Sequence, residues 1–339
     1  MAHLSSSQTN PLRFQGIDVS KATFDVACWG DQAFQRMTNR SFPRTPAGVQ
    51  AWLACFKPDE LCGTAVVMET TGGYCKELAG WILEARPGFH VAIANPYRVK
   101  AYAGSLGLRN KTDRVDARML AMFGQERQPG PWAPLSPAQE ELRALVRTRA
   151  KFQATRTAYR NRLKSKTGGF PTDKKCQEDL LAFLDQQIKT IERSIRQLCR
   201  KDPDLDRDLQ LLMSIDGIGL ITAASVLGTA GDLRRFKRRN ELTAFLGVSP
   251  RQVQSGTSVQ CKAHMCRTGN KKTRSALYMA AVATCRSKGV LGDYYRRLVA
   301  AGKPKKSALG ALMRKLLIVM RAVLIQGEPY REPKAPIAA

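Results

Sequence analysis

Four acidic side chains have the type and spacing to hold metal ions for phosphoryl transfer: Asp18, Glu69, Asp113 and Asp116. Asp18 and Glu69 each end a short β-type run, and the two later aspartates, three residues apart at the start of a predicted helix, face one side of it. Clustered carboxylates repel one another and favour a hard cation, for which we expect Mg²⁺. Two such ions roughly 3.5–4 Å apart can activate one oxygen and stabilise the leaving one.

The same four acids also have an ordinary structural explanation. Asp and Glu are common at helix starts as caps, and at strand ends as solvated surface. The spacing alone therefore leaves both interpretations open.

The first third of the chain alternates in the manner of an α/β domain, with Asp18 and Glu69 at strand ends and Asp113 and Asp116 at a helix start. The predicted strands are Phe14–Val19, Phe24–Trp29, Ala33–Thr38, Thr64–Glu69 and His90–Asn95, and the predicted helices cover 46–56, 74–84 and 113–123. We place this domain at residues 12–127, ahead of a Pro- and Gly-rich linker that begins at Gln128.

A long basic helix is predicted after the linker. The stretch Arg143–Lys166 contains nine Lys or Arg, no acid and a single apolar stripe. Its candidate nucleic-acid contacts are Arg143, Arg147, Arg149, Lys151, Arg156, Arg160, Arg162, Lys164 and Lys166.

The following helix carries a heptad of apolar residues from Leu181 to Leu198, at spacings of three and four. That pattern is typical of a coiled-coil seam, so residues 136–205 are predicted to form a helical hairpin. The seam could pair with a second copy of the chain or pack inside one chain, and the sequence favours neither.

Residues 206–327 are predicted to form a mostly helical, basic domain, followed by a disordered tail at 328–339. Gly217 and Gly219 resemble a helix-hairpin-helix turn whose backbone N–H groups could approach a phosphate, although a tight turn between packed helices explains them equally well. Lys271, Lys272 and Arg274 could contact DNA or form a solvated basic face.

The overall charge points to a polyanionic partner. The chain has 339 residues with 55 Lys and Arg against 28 acids, which gives a net charge of +27. Basic residues that neutralise phosphates release counterions, so nucleic acid is the expected partner. A membrane is not expected, because the longest apolar stretch, Leu309–Ile325, is interrupted by three basic residues. We interpret this stretch as a core helix.

Motifs in both halves of the chain together resemble the 110-type insertion-sequence transposases, a family of Piv/MooV-like DEDD enzymes. The motifs are GIDVSK at 16–21, METTG at 68–72, KTDRVDA at 111–117, SIDGIG at 214–219, FLGVSP at 245–250, SG at 255–256 and TGNK at 268–271. The match extends over about residues 12–290. It implies a RuvC-like, RNase H-like N-terminal domain and a C-terminal transposase domain.

The resemblance also implies roles for particular residues. Asp18, Glu69, Asp113 and Asp116 would be the metal ligands, and Ser255 would attack a DNA phosphate to form a covalent link. Many relatives have a second glycine where this chain has Thr257. From chemistry alone, a serine in the polar stretch 252–260 is exposed and mobile, and Ser249 and Ser258 would serve as well.

The expected function is therefore that of a transposase or recombinase acting on donor and target DNA, guided by a structured bridge RNA. The expected assembly is a homo-oligomer, a dimer or a tetramer. The alternatives are a RuvC-like nuclease or Holliday-junction resolvase that uses only the carboxylates, and a site-specific DNA invertase. The nine scattered cysteines and the polar first residues favour the bacterial cytoplasm, in association with the nucleoid.

Overall fold

The computed structural model describes residues 13–28, 39–70, 72–107, 112–164, 170–255, 259–266 and 269–332. At 58–59, 113–114, 251–255 and 259–264 the structure describes the backbone but not the side chains. Tertiary contacts divide the chain into two units, Met1–Pro134 and Leu135–Ala339. None of the helices in the described part of the chain has the length and apolar content that a membrane crossing requires.

The first unit is built on a five-stranded mixed sheet of order β3-β2-β1-β4-β5. Its strands are β1 Arg13–Val19, β2 Thr23–Ala27, β3 Asn39–Pro43, β4 Thr64–Glu69 and β5 His90–Ala94. The first three strands are antiparallel, whereas β4 and β5 run parallel to β1. The predicted strand at 33–38 lies outside the described residues, and the third strand of the structure begins at Asn39.

Helices cover both faces of this sheet. They are α1 Pro46–Leu53, α2 Pro58–Leu61, α3 Tyr74–Ala85, α4 Pro96–Ser105 and α5 Asp113–Arg127. One apolar cluster joins Ile17, Phe24 and Met68 with residues of α1 and α3. The other joins Phe14 and Val67 with residues of α4 and α5. The fold class predicted for this half, α/β, is confirmed.

The second unit is mostly helical, as predicted. Its helices are α6 Pro137–Lys164, α7 Pro171–Lys201, α8 Pro203–Met213, α9 Leu220–Ala230, α10 Arg239–Phe245, α11 Lys271–Thr284, α12 Val290–Ala300 and α13 Lys305–Gln326. The apolar stretch that the sequence assigns to a core helix is α13, with Leu312, Leu316 and Met320 fully buried. Residues of α6 to α9, α11 and α13 share one apolar core.

Helices α6 and α7 form an antiparallel pair, because Arg149 and Arg156 on α6 form ion pairs with Glu192 and Asp185 on α7, in reversed order. The heptad side chains Ile188 and Ile195 are buried within this chain. The seam is thus used for packing inside the chain, and pairing with a second copy stays a prediction.

Two segments differ from the sequence-based prediction. The polar stretch 252–260, predicted as a loop, belongs largely to a β-hairpin of β6 Pro250–Ser255 and β7 Val259–Met265. The tail, predicted to be disordered from Glu328, packs as far as Glu332: the Tyr330 N–H donates to Ser214 Oγ at 2.7 Å, and Glu332 Oε1 accepts from the Val290 N–H at 3.1 Å. Its prolines indicated an irregular backbone, which need not be a disordered one.

Candidate functional site

The faces of the sheet decide where the first two acids point. Successive strand residues alternate between faces. Phe14 on β1 and Val67 on β4 belong to the cluster beneath α4 and α5, so Asp18 and Glu69, at the same parity, share that face. Ile17 pairs with Met68 in the parallel register. Asp18 and Glu69 are therefore neighbours at the carboxyl edge of the two central strands.

Helix α5 crosses this same face and runs antiparallel to β1. Phe14 N–H donates to Gln125 Oε1 at 3.3 Å near the end of α5. A Cβ built at Gly16 would lie 1.9 Å from the Ala117 carbonyl oxygen, nearer the start of α5. Asp18 lies two residues after Gly16 on the same face of β1. Because α5 runs antiparallel to β1, its first turn lies at the level of the Asp18 carboxylate.

The first turn of α5 carries the other two predicted ligands. Thr112 caps the helix, with its side chain accepting from the Val115 N–H at 3.3 Å. Asp113 is the first residue of the helix, with its side chain outside the described part, and Asp116 lies half-buried one residue before Ala117. The topology thus brings two strand ends and one helix start to a single edge.

The residues at this edge fit a divalent cation in their chemistry. They offer carboxylate oxygens only, the donors that Mg²⁺ prefers. Asp18, Glu69 and Asp116 each have a polar or electrostatic contact. Among the described side chains, no three His, Cys, Asp or Glu are grouped closely enough to hold an ion. Asp113, the fourth predicted ligand, is not among these side chains.

Asp25 is an acid at this edge that the sequence reasoning missed. It pairs directly with Asp18 across the antiparallel β1–β2 register. Phe24 and Val26 belong to the opposite cluster, so Asp25 faces the same side as Asp18. Like charges placed directly opposite are destabilising unless a cation lies near them. The sequence could not reveal this pair, because a shift of one residue in the hairpin would turn Asp25 away.

Ser255 is the last residue of β6 and pairs with Val259, the first residue of β7. Its side chain lies outside the described part of the structure, as does all of Ser258. Ser249, the other candidate, has an engaged hydroxyl: its Oγ lies 3.1 Å from Thr243 Oγ1, which accepts from Arg314 Nη1 at 2.9 Å. Ser249 therefore acts as an anchor at the base of the hairpin.

The base of the hairpin is held from several sides. The Cys266 N–H donates to the Ser249 carbonyl at 2.9 Å. A Cβ at Gly269 would lie 2.6 Å from Gly247 Cα, and Arg274 donates to the Gly247 carbonyl at 3.3 Å. These contacts join the FLGVSP and TGNK motifs. Arg274, which was predicted to contact nucleic acid, uses its guanidinium for this hydrogen bond within the protein.

The two glycines between α8 and α9 have different surroundings. A Cβ at Gly217 would lie 2.2 Å from Thr284 Oγ1 on α11, and that hydroxyl donates to the Asp216 carbonyl at 2.8 Å. Gly217 is thus explained by helix packing. Gly219, just before α9, has no atom within 4 Å of a built Cβ, so this position is open to a ligand.

The basic residues of α6 fall into two groups. Arg149 and Arg156 pair with acids on α7 at 2.8 and 2.7 Å, and Arg160 lies 3.9 Å from Asp185. Arg143 is half-buried, and this burial, followed by the charge of Arg147, lowers its pKa, whereas the nearby Glu140 acts in the opposite direction. Of the other predicted contacts on α6, the exposed ones are Arg147, Lys151, Arg162 and Lys164; Lys166 lies outside the described residues.

Arg147 and Lys151 share a patch with Lys272 at the start of α11. Lys272 Nζ donates to the Arg147 carbonyl at 3.4 Å. Burial, followed by the charges of Lys151 and Arg147, lowers the pKa of Lys272. In the described part of the chain no ion pair forms with any of these three side chains. Lys271 beside them is exposed. Such a patch suits a phosphate backbone.

Two family models match this chain. A transposase model of the DEDD, IS110 type matches residues 15–167, which include all four acids. The model described as the transposase IS116/IS110/IS902 family matches residues 209–296, which include the β6–β7 hairpin.

Curated relatives match almost the whole chain. The pilin gene-inverting protein of Moraxella bovis is 31% identical over 316 residues, which cover 93% of this chain and 96% of that protein. The same-named protein of Moraxella lacunata has the same identity and coverage. The transposase for insertion sequence element IS1111A of Coxiella burnetii is 24% identical over 360 residues, covering 94% of this chain and 92% of that protein.

Proposed function

Because this chain belongs to the IS116/IS110/IS902 family of transposases, we propose that it cuts and rejoins DNA by means of a carboxylate edge in the first unit and a nucleophilic serine, Ser255, in the second. The observation that carries the proposal is the placement of Asp18 and Glu69 on the sheet face crossed by the first turn of α5. The sheet order, with three antiparallel strands followed by two parallel ones, supports a RuvC-like, RNase H-like assignment.

Asp18, Glu69, Asp113 and Asp116 are the proposed ligands of the divalent metal, with Mg²⁺ as the physiological ion. When bound, Mg²⁺ supplies stabilisation of charge on the phosphate oxygens. Asp25, opposite Asp18, adds negative charge and so strengthens the requirement for a cation. In a chain of charge +27, an all-carboxylate edge has no evident role in binding phosphate by itself.

Ser255 is the proposed nucleophile. Its Oγ forms a bond to a DNA phosphorus while the bond from that phosphorus to one deoxyribose oxygen breaks, and the serine proton ends on the released hydroxyl. Attack by the hydroxyl of another strand reverses these changes and rejoins the DNA. Support comes from the position of Ser255 at the end of β6, and from the engaged hydroxyl of Ser249.

Nucleic acid is the proposed partner of the patch formed by Arg147, Lys151 and Lys272, and Gly219 offers a second approach to a phosphate. A bridge RNA would suit these cations as well as DNA would, since both present phosphates. Sequencing of nucleic acid that copurifies with the protein tests for the guide. Absence of a specific RNA from the flanks of the gene would count against guidance.

A homo-oligomer, dimer or tetramer, is proposed as the working assembly, because two DNA partners must be cut and exchanged. Light scattering of the purified complex with nucleic acid tests this. A monomer that recombines DNA would contradict it.

The test of the metal site uses DNA that carries the flanks of the gene. We expect cleavage and rejoining with Mg²⁺, none with a chelator, and none for Asp18→Asn, whose circular dichroism and melting temperature stay close to wild type. An active Asp18→Asn protein would refute the metal site.

Inversion of a DNA segment is a second candidate function, since the pilin gene-inverting proteins match nearly the whole chain. A plasmid with two sites in inverted orientation distinguishes it from transposition by the product formed. A nuclease or resolvase acting through the carboxylates alone would retain cleavage after Ser255→Ala.

A further inference from the structure

Arg44 lies at the junction between β3 and α1, next to the turn that follows Asp18. Its N–H donates to the Ala22 carbonyl at 2.8 Å, and its Nε donates to the Lys21 carbonyl at 2.9 Å. Ser20 Oγ closes the same turn by hydrogen bonds to Thr23. Arg44 therefore contacts this turn through both its backbone and its side chain.

The other side of the Arg44 guanidinium contacts α3, the helix that follows Glu69. The guanidinium carbon lies 4.5 Å from the Tyr74 ring centroid and 5.8 Å from that of Trp81. Nη1 forms an ion pair with Glu77. These three residues lie on one side of α3, at spacings of three and four.

The contacts of Arg44 require the planar shape and the positive charge of a guanidinium. Its side chain is only 12% exposed. A planar guanidinium can donate to a carbonyl and a carboxylate at its edge while its face stacks on an aromatic ring, whereas the ammonium of lysine cannot do all three. The charge is also partly desolvated, which strengthens cation–π attraction.

We propose that Arg44 is a positioning residue that fixes the turn after Asp18 relative to the helix after Glu69, and so sets the separation of these two carboxylates. The inference rests on the proposed metal site. Arg44 links the segments through Lys21 and Ala22 on one side and Tyr74 and Glu77 on the other. No substrate or metal contact is assigned to it.

The test measures Mn²⁺ binding to the full-length protein by electron paramagnetic resonance, with no DNA present. Loss of a residue that orients metal ligands weakens metal affinity by about 10-fold or more, so we expect that loss for Arg44→Lys. Hydrogen exchange should speed up in both 20–23 and 72–78, and stay unchanged in β5.

Arg86→Lys is the matched control. Arg86 also lies over an aromatic ring, 5.9 Å from the Phe89 centroid, but it follows the end of α3, far along the sheet from the carboxyl edge. Its lysine variant should bind Mn²⁺ as wild type does. A general loss of stability would affect both variants, whereas a positioning role affects only Arg44→Lys.

Glu77→Gln keeps the proposal testable if Arg44→Lys fails to fold. Glu77 is half-exposed and its loss leaves the backbone contacts of Arg44, so we expect a smaller effect, about 3-fold weaker binding. Wild-type Mn²⁺ affinity in both Arg44→Lys and Glu77→Gln would overturn the positioning role while Asp18→Asn still lost the metal. Wild-type affinity in Asp18→Asn would instead refute the metal site itself.

Discussion

The direction in which single side chains point decides the interpretation of the acids and the bases. Asp18 and Glu69 can be interpreted as one pair of carboxylates because strand parity places both on the face that α5 crosses. Arg149 and Arg156 are less able to bind a phosphate because the antiparallel register of α6 and α7 places acids beside them. Neither fact is visible in the composition.

The unpaired patch is predicted to bind nucleic acid more strongly than the paired residues. Arg147→Gln, Lys151→Gln and Lys272→Gln should each reduce the slope of log affinity against log salt by about 0.9 for a duplex, one phosphate contact each. Arg156→Gln removes the same charge and serves as control, because its ion pair with Asp185 already occupies it. An equal change of slope for Arg156→Gln and for the three patch variants would contradict the division of the basic residues into paired and unpaired groups. The measurement is fluorescence anisotropy across a salt series.

At the scale of elements, the buried strands were the easiest to predict. The span Thr64–Glu69 was predicted correctly because four of its six residues are fully buried apolar side chains, which form a short apolar run. The β6–β7 hairpin escaped prediction because β6 has one apolar residue besides its proline, Val253. β7 does alternate apolar and polar residues from Val259 to Met265, and this strand signal was overlooked. The Asp18–Asp25 pairing and the Arg44 contacts escaped because register and tertiary proximity leave no local signal.

The close approach of α5 to β1 predicts a specific effect of Gly16→Ala. The added methyl would overlap the Ala117 carbonyl at 1.9 Å and push the helix start away from Asp18. Overpacking of this kind costs about 1–3 kcal/mol of unfolding free energy, and Mn²⁺ binding should weaken in parallel.

Gly80→Ala is the control for Gly16→Ala. Gly80 lies inside α3 and nothing comes within 4 Å of its built Cβ. Alanine there should be neutral or stabilising by about 0.5–1 kcal/mol. The check is urea denaturation of both variants, and a Gly16→Ala protein as stable as wild type would contradict the packing.

The whole molecule consists of two units that each have their own apolar core. The four proposed metal ligands belong to the first, and Ser255 and the basic patch belong to the second. The proposed function therefore depends on residues of both units.

This division predicts that a fragment Leu135–Ala339 folds alone, unfolds cooperatively and binds DNA in the presence of a chelator. The complementary fragment Met1–Pro134 should bind Mn²⁺ and bind DNA weakly. Calorimetry and anisotropy on the separate fragments check both statements. A Leu135–Ala339 fragment without cooperative unfolding would show that its core is not self-sufficient.

The proposed use of both the carboxylates and Ser255 is tested most directly by trapping the protein on a suicide DNA substrate in Mg²⁺ and mapping the covalent adduct by mass spectrometry. The account predicts a phosphodiester on Ser255, no adduct for Ser255→Ala or Asp18→Asn, and a retained adduct for Ser249→Ala. An adduct formed at the wild-type rate by Ser255→Ala, or mapped to another residue, would contradict it.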